Sequence, residues 1–189
     1  AGNTTITTLN GTGTVDFSAV PITLQVSNGN YAGKFVGASS LDKVSGGTLV
    51  LSGFSNSFSG DVNVYDGTIE ARSNRALGTG VVRLDGGHLA ITGDSAWLLG
   101  NNVTQIGSAF VTLGAATPGA AAVTQSLGNL GMWNGSSLIV QQNGSFAAGA
   151  PATLSVGTVT LDNVWTYSFN VGSGAKLEVR GAVNHTLNN

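Results

Sequence analysis

The sequence predicts an all-β protein folded as a parallel β-helix, a solenoid in which each coil of the chain stacks on the previous one. The first observation is a short phrase that occurs three times, in residues 46–51, 66–71 and 86–91. Gly47, Gly67 and Gly87 hold its second position, so the step is 20 residues on both occasions. A fixed period of this kind is typical of solenoids, because each repeat is one coil of the stack.

The composition is the second observation, and it disfavours helices. Only 8% of the 189 residues are charged, against about 25% in an ordinary globular protein. Glycine accounts for 29 residues, roughly twice its average share. Short polar and β-branched side chains suit a pleated surface, whereas exposed helices need longer polar ones. Because 41% of the residues are hydrophobic and alternate regularly, we expect a folded chain rather than a disordered one.

The third observation is an alternation of apolar and polar residues between turn signals. Turns are predicted at Asn10-Gly11 and at residues 27–30. Between them, apolar residues recur at every second position over 15–17 and again over 22–26, the pattern of strands with one buried face. A pattern of aromatic, small residue, glycine and charge then opens both 31–37 and 58–64. We therefore expect two or three short strands per coil, separated by glycine-containing turns.

The alternation also predicts which side chains face the core. The predicted inward residues are Leu49, Leu51, Ile69, Leu84, Leu89 and Ile91. The predicted outward residues are Thr48, Val50, Thr68, Glu70, His88 and Ala90. The three phrase glycines are expected to form equivalent corners. Parallel strands cannot be joined by two-residue hairpins, so the regular return favours the β-helix; a β-sandwich of hairpins is the alternative, since it also has short strands and frequent turns.

From Asp94 onward the period is looser. When the later strands are aligned on Leu89, Leu138 follows after 49 residues and Leu177 after a further 39. Each interval corresponds to about two coils, and the first contains an insertion, which we expect between Ala115 and Asn129. Further core rungs are predicted at Val111 and Leu113, Leu138 and Val140, Val159 and Leu161, and Leu177 and Val179.

The three tryptophans and the ends of the chain complete this outline. Trp97, Trp133 and Trp165 are expected to fill or cap the core, the alternative being an exposed platform on which sugars stack.

Residues 1–189 are expected to form a single β-helical segment, with the repeat clearest over 28–91 and looser coils over 92–189. The chain begins at Ala1 rather than at methionine, so we expect a segment of a longer protein.

Residues 28–91 carry a series of phrases in fixed order: Tyr-x-Gly, Leu-x-Lys, Gly-Gly-Thr-Leu-x-Leu-x-Gly, Phe-Ser-Gly, Asp-Gly-Thr-Ile, Ala-Leu-Gly-Thr-Gly and Val-x-Leu-x-Gly-Gly-x-Leu. They occupy residues 31–33, 41–43, 46–53, 58–60, 66–69, 76–80 and 82–89. The series resembles the passenger-associated transport repeat of autotransporters, the type V secreted proteins of Gram-negative bacteria. The resemblance implies a right-handed parallel β-helix that reaches the cell surface, anchored to the outer membrane through the C-terminal β-barrel translocator of its parent chain.

Groups that support catalysis or metal binding are sparse in this sequence. It contains no cysteine, and phosphate-loop and calcium-repeat patterns are absent. Asp66 and Asp85 precede similar glycines one coil apart, so they form the only carboxylate pair that suggests a glycosidase. Aspartate before glycine is also ordinary turn chemistry, which is our expectation here. His88 falls beside Asp85, so a dyad can be drawn, but we expect a surface histidine; the other histidine is His185.

These patterns predict a non-enzymatic protein with no catalytic, cofactor-binding or metal-binding residues. The expected function is that of a passenger stalk that aids export and vectorial folding. The alternatives are an adhesive or self-associating surface, and a carbohydrate-active β-helix that uses Asp66 and Asp85. The expected partner is the translocator of the parent chain, with a host surface, a glycan or a second copy as further possibilities. Nucleic acid is not expected, because the chain has seven Lys and Arg and a net charge of −2.

Overall fold

The structure, a computed structural model, describes residues 2–20, 22–54, 56–149, 151–162 and 165–186. It is a parallel β-helix of about nine turns, with roughly 21 residues per turn. The strand pairings among the described residues are all parallel, and each joins neighbouring coils. These residues form no helix, and hence no helix that spans a membrane. The prediction of a β-helix is confirmed, and parallel pairing excludes the hairpin sandwich.

The early coils use long strands that continue around a corner. They are β1 (Asn3–Gly11), β3 (Thr23–Tyr31), β5 (Ser40–Leu51) and β6 (Val62–Ala71). A further side of the early coils carries the short pair β2 (Thr14–Phe17) and β4 (Lys34–Gly37).

The later coils have three separate faces. The first face contains β7 (Val82–Leu84), β10 (Val103–Gln105), β13 (Leu130–Met132), β16 (Val159–Asp162) and β19 (Val183–Thr186). The second face contains β8 (His88–Thr92), β11 (Ala109–Gly114), β14 (Ser137–Gln142) and β17 (Ser168–Val171). The third face contains β9 (Trp97–Leu98), β12 (Thr124–Ser126), β15 (Ala152–Val156) and β18 (Ala175–Val179). Because β6 pairs with both β7 and β8, it connects the first and second faces to the long early strands.

Equivalent apolar side chains stack in rows along the inside. One row runs through Leu49, Ile69, Leu89, Val111 and Val140, which pair in that order and are all buried. Burying one such side chain stabilises the fold by about 1.5–3 kcal/mol. All six residues predicted to face inward are fully buried, so that prediction is confirmed.

The residues predicted to form the later core rungs lie in strands, but these strands belong to different faces of the coils. Leu138 lies on the second face, as does Leu89, whereas Leu177 pairs with Leu154 on the third face. Val159 lies on the first face. The alignment of Leu177 with Leu89 was therefore wrong, because every coil presents several similar apolar alternations and spacing alone cannot distinguish its faces.

The expected insertion is present, but it is not the only lengthened segment. Fifteen residues lie between Gly114 and Leu130, against ten between Thr92 and Val103 one coil earlier. The segment between Gln142 and Val159 contains 16 residues, so the following coil is long as well. The sequence analysis missed this second lengthening, since the neighbouring apolar alternation concealed it.

The three phrase glycines are not equivalent in conformation. Gly67 has φ +68°, and a Cβ there would lie 2.3 Å from two backbone oxygens, so the position requires glycine. In the third copy the positive φ falls on Gly86 instead of Gly87. In the first copy the pairing register shifts between Val44 and Thr48, which displaces the corner at Gly47. The prediction of equivalent corners was therefore wrong in detail, although the strands that follow them do stack.

The tryptophans differ from one another in burial. Trp97 packs against the core, as predicted. Trp133 and Trp165 are 40% and 58% exposed, so the prediction that they fill or cap the core was wrong. Both follow first-face strands, at corners where the side chain points away from the coil interior.

A lysine that the sequence analysis did not single out lies fully inside the early coils. Lys43 aligns with Val26 and Val64 in an inward row. Its ammonium donates to the carbonyl oxygens of Ser45 and Asp66, where the β5–β6 register shifts. Burial lowers the pKa of Lys43, and Asp66 partly offsets that effect. The side chain thus supplies the hydrogen bonds that the interrupted ladder leaves unmade.

Buried asparagines also bond to the backbone of neighbouring coils. Asn56 is almost fully buried; its Oδ1 accepts the N–H of Phe35 at 2.7 Å, and its Nδ2 donates to the carbonyl of Ala76 at 2.9 Å. An amide suits the position of Asn56 because it is donor and acceptor at once, and so bridges the coils on both sides. Asn101 donates from Nδ2 to the carbonyl of Gly80 in the preceding coil at 2.9 Å.

We expect Asn56→Asp to lower the free energy of unfolding by at least about 3 kcal/mol at neutral pH, because it buries a charge and turns an oxygen toward the Ala76 carbonyl. Asn102→Asp is the matched control: Asn102 is exposed, and its Oδ1 accepts the Asn129 N–H, a bond that aspartate keeps. Urea denaturation of the two variants and the wild type measures the difference. Equal unfolding midpoints would contradict the bridging role of Asn56.

Candidate functional site

The carboxylate pair suggested by the sequence lies at one corner of two successive coils. Val64 pairs with Leu84 and Thr68 pairs with His88, so residues 65–67 lie against residues 85–87. The corner is not a regular ladder, because the N–H groups of Asp85 and Gly87 both donate to the carbonyl of Val64. The two aspartates belong to neighbouring coils, as their spacing suggested, but they are offset by one position.

The local bonding of Asp66 confirms the turn interpretation. Its Oδ1 accepts the N–H of Gly67 at 2.7 Å, and Gly67 is the residue with the left-handed backbone. The carboxylate thus caps the turn that directs the chain from the first half of β6 into the second. Asp85 is exposed at the equivalent bend of the next coil. A retaining or inverting glycosidase needs two carboxyl groups opposed across a sugar, whereas these side chains start from adjacent positions of one corner.

His88 faces outward, as predicted, but it is half-buried and engaged. Its Nδ1 accepts the N–H of Phe110 at 3.1 Å, and the Phe110 ring stands edge-on to the imidazole, with the ring centres 4.6 Å apart. Nδ1 can accept only while it carries no proton, so this geometry holds the neutral imidazole. Burial lowers the pKa of His88, and the carboxylate that partly offsets this is Asp66. The His88–Asp85 dyad drawn from the sequence is thus replaced by a contact between coils.

His88 and Phe110 form one side of a shallow depression of about 290 Å³ on the second face. Thr68, Thr112 and Gln141 complete its lining. Gln141 donates from Nε2 to the hydroxyl of Thr112 at 3.1 Å, so part of its polar lining is already paired.

Most of the carboxylates bind groups of their own chain. Eight of the nine accept a described hydrogen bond from the protein; they are Asp16, Asp42, Asp61, Asp66, Glu70, Asp94, Asp162 and Glu178. Asp94, for example, accepts the backbone N–H groups of Ala116 and Thr117 one coil on, and hydrogen bonds from Thr117 lower its pKa. Across the described ranges, His, Asp and Glu side chains do not gather in a group of three that would hold a metal ion.

The exposed Trp133 defines a second depression, which the sequence analysis did not assemble. Trp133 opens a turn in which Asn134 and Gly135 both have positive φ and the N–H of Ser136 donates back to the Trp133 carbonyl at 3.1 Å. This is the pattern of a type I′ turn, and Asn-Gly is its preferred sequence. The Asn134 N–H also donates to Asp162 of the next coil at 3.1 Å. The backbone that carries the indole is therefore held on two sides.

A column of first-face residues runs along this Trp133 depression. Arg83, Thr104 and Gly131 occupy paired positions on β7, β10 and β13. Gly131 has no side chain, and a Cβ added there would lie 3.2 Å from the indole nitrogen of Trp133. The depression measures about 300 Å³ and is lined by Arg83, Thr104, Ile106, Trp133 and Asn134. The Asn-Gly signal could have located the turn, but only the coil register brings Arg83 and Thr104 beside it.

Comparisons of this chain with protein-family models, with curated proteins and with solved structures give no match. The β-helix is therefore established by the structure itself.

The stability of the fold should fall as the pH decreases below about 6.5, because of His88. Its pKa is lowered in the folded state, so between that pKa and about 6.5 the unfolded chain binds more protons. The stability contribution of neutral His88 is therefore fully present above about pH 6.5 and is lost as the pH falls through the folded pKa. Protonation of Nδ1 also removes the acceptor of the Phe110 N–H.

His88→Asn is the diagnostic variant, since the asparagine Oδ1 can replace Nδ1 as acceptor but does not titrate. Urea midpoints of wild type and variant at pH 7 and pH 5 provide the measurement. We expect the wild type to lose more stability than the variant between the two values. Identical losses would show that folding does not lower the pKa of His88.

Proposed function

We propose that this chain is a non-enzymatic structural segment of an autotransporter passenger, a β-helical stalk that aids export by folding coil upon coil. The observation that carries the proposal is the pairing pattern. Each described strand pairs only with strands of the coil before and the coil after. A chain with this topology can fold progressively as it emerges from a pore, because a new coil needs no partner beyond its predecessor.

The energy that drives such folding is spread along the inward rows. When one coil closes on its neighbour, Leu89 covers Ile69 and Ile91 covers Ala71, and all four side chains become fully buried. At about 1.5–3 kcal/mol for each large apolar side chain, every added coil opposes backward movement of the chain through a pore. Each coil that folds contributes a similar burial energy, so the opposition to backward movement continues along the whole chain.

The dimensions of the fold suit a stalk. Neighbouring parallel strands lie about 4.8 Å apart, so nine stacked coils extend roughly 40 Å along the axis. A passenger made of such coils would carry a functional tip away from the bacterial surface. The surface location and the translocator of the parent chain belong to this proposal, and both rest on the resemblance of residues 28–91 to the transport-associated repeat.

The repeated phrase supports the link between this resemblance and the stack. Residues 66–71 lie against both neighbouring copies, with Thr68 and Ile69 in register with Thr48 and Leu49 on one side and with His88 and Leu89 on the other. The three copies of the phrase therefore occupy the same strand position in three successive coils.

Leu49→Asp and Thr48→Asp in the full-length protein test the role in export. Leu49 is fully buried and Thr48, its neighbour on β5, is exposed. Leu49→Asp should strongly reduce the passenger exposed on intact cells, because a buried unpaired charge prevents coil stacking. Thr48→Asp should leave exposure near the wild-type level. Antibody labelling of intact cells, normalised to total passenger, provides the measurement.

Normal surface exposure of a Leu49→Asp passenger would contradict the proposal, provided that circular dichroism of the purified segment shows the coil to be destabilised. If both variants are displayed poorly, the added charge rather than coil stacking is responsible. The pair therefore separates folding-driven export from general sensitivity to substitution.

A self-associating surface is the second candidate, and a ladder of short polar side chains favours it. Thr5 donates to Gln25 at 3.0 Å and Thr8 donates to Asn28 at 3.2 Å, each pair joining equivalent positions of successive coils on the exposed surface. A matching ladder on a second copy meets little charge repulsion, since 8% of the residues are charged. Many weak hydrogen bonds would then hold the two copies together.

Sedimentation of the purified chain over a range of concentrations distinguishes a self-associating surface from a passive stalk. Association through this ladder predicts a dimer that dissociates on dilution and that Thr8→Lys abolishes without changing the circular dichroism spectrum. A passive stalk remains monomeric at all concentrations tested.

A further inference from the structure

We propose that the Trp133 depression binds one neutral hexose unit of a glycan, with the indole as the stacking platform. This is a binding site on the outer surface of the coils, separate from the stalk function and from the Asp66–Asp85 corner. It requires no catalytic group.

Trp133 exposes its aromatic ring from a backbone that is held on two sides. Trp133 is 40% exposed, although the same chain packs Trp97 against its core. Indoles that leave a face in water, with the N–H available for a polar partner, are typical of recognition surfaces. The type I′ turn at Asn134-Gly135 and the bond to Asp162 fix the backbone before any ligand arrives. Preorganisation of this kind lowers the entropic cost of binding.

The second argument is the room that Gly131 leaves. The indole nitrogen lies 3.2 Å from the position that a Cβ of Gly131 would take, so the edge of the indole extends over β13 into the space that a side chain at position 131 would need. The indole therefore forms one wall of the depression, and Thr104 on the paired strand β10 lines it from the preceding coil. Its volume of about 300 Å³ is at the lower end for ligand pockets, which suits a single small ring.

The third argument is the charge balance of the lining. Arg83 donates from Nη2 and Nε to Oδ2 of Asp61 at 2.9 and 3.2 Å, while the Asp61 Oδ1 accepts the N–H of Val81. The guanidinium charge is thus partly compensated within the protein, which weakens the attraction for a phosphate or a carboxylate. A neutral ligand with several hydroxyl groups suits the donors and acceptors that remain, namely those of Arg83, Thr104 and Asn134. A hexose combines such hydroxyls with an apolar C–H face that can rest on the indole.

The indole N–H signals of ¹⁵N-labelled protein provide the test. The chain has three tryptophans, so each signal is assigned by single Trp→Phe variants. The probes are methyl β-galactopyranoside, methyl β-glucopyranoside and N-acetylglucosamine, titrated separately, with N-acetylneuraminic acid as an anionic comparison. We expect at least one neutral probe to shift the Trp133 signal in a saturable way, with a dissociation constant on the order of millimolar for a single ring.

Variants separate stacking on Trp133 from other effects. Trp133→Ala and Trp133→Phe lack the Trp133 indole signal, so the backbone N–H signals of Thr104 and Asn134 follow binding in these two variants. Trp133→Ala should abolish the saturable shift of these signals, and Trp133→Phe should retain it with several-fold weaker affinity. Gly131→Val should also weaken binding, because a side chain there displaces the indole while valine suits the strand. Trp165→Ala is the matched control: it removes a more exposed tryptophan that does not line the depression, and binding should persist.

Three outcomes would overturn the proposal. The first is the absence of a saturable Trp133 shift with every neutral probe. The second is binding that survives in Trp133→Ala, which would place the sugar elsewhere. The third is tighter binding of N-acetylneuraminic acid than of any neutral probe, which would show that Arg83 acts as a free cation. Circular dichroism spectra that match the wild type ensure that each variant is folded when it is tested.

Discussion

The fold depends on the in-register stacking of inward side chains between successive parallel coils. No coil has a core of its own: Leu49, Ile69, Leu89 and Val111 are buried because each lies against its equivalent in the next coil. Since side chains alternate between the two sides of a strand, a slip of one residue would turn the whole row outward. Register is therefore the constraint that the corners, the strand lengths and the outer surface all follow.

Backbone polar groups limit how far the coils can depart from regular strands. Where the β5–β6 register shifts, the buried ammonium of Lys43 supplies the missing donors. Asn56 accepts from the backbone of one neighbouring coil and donates to that of the other, and Asn101 donates to the carbonyl of Gly80 in the preceding coil. Leaving such groups unpaired in the interior would cost about 1–3 kcal/mol each. These three polar residues are as much a part of the interior as the aliphatic rows.

The same stacking determines what the surface offers chemically. Hydrogen bonds within or between coils occupy most carboxylates: Asp66 caps a turn, Asp61 binds Arg83 and Asp94 holds residues one coil on. The side chain of His88, which the sequence pattern places on the outer surface, accepts a hydrogen bond from the N–H of Phe110 in the next coil. The indole of Trp133 faces solvent from a turn that is held on two sides and beside a depression, which is why we assign ligand binding there rather than to the acidic residues.

The sequence by itself determined the β-helix, its period and the inward residues of the repeat, because these depend on local alternation and on a spacing visible in 46–91. It also indicated the turn role of Asp66 and the lengthening within 115–129. Only the tertiary structure decided which face each later strand joins, since the coils vary in length and their alternations look alike. Burial of Lys43 and exposure of Trp133 were likewise invisible in the pattern. The coil register brings Asp66 of the next coil to Lys43, and it places Thr104 of the preceding coil and Arg83 of the coil before that beside Trp133.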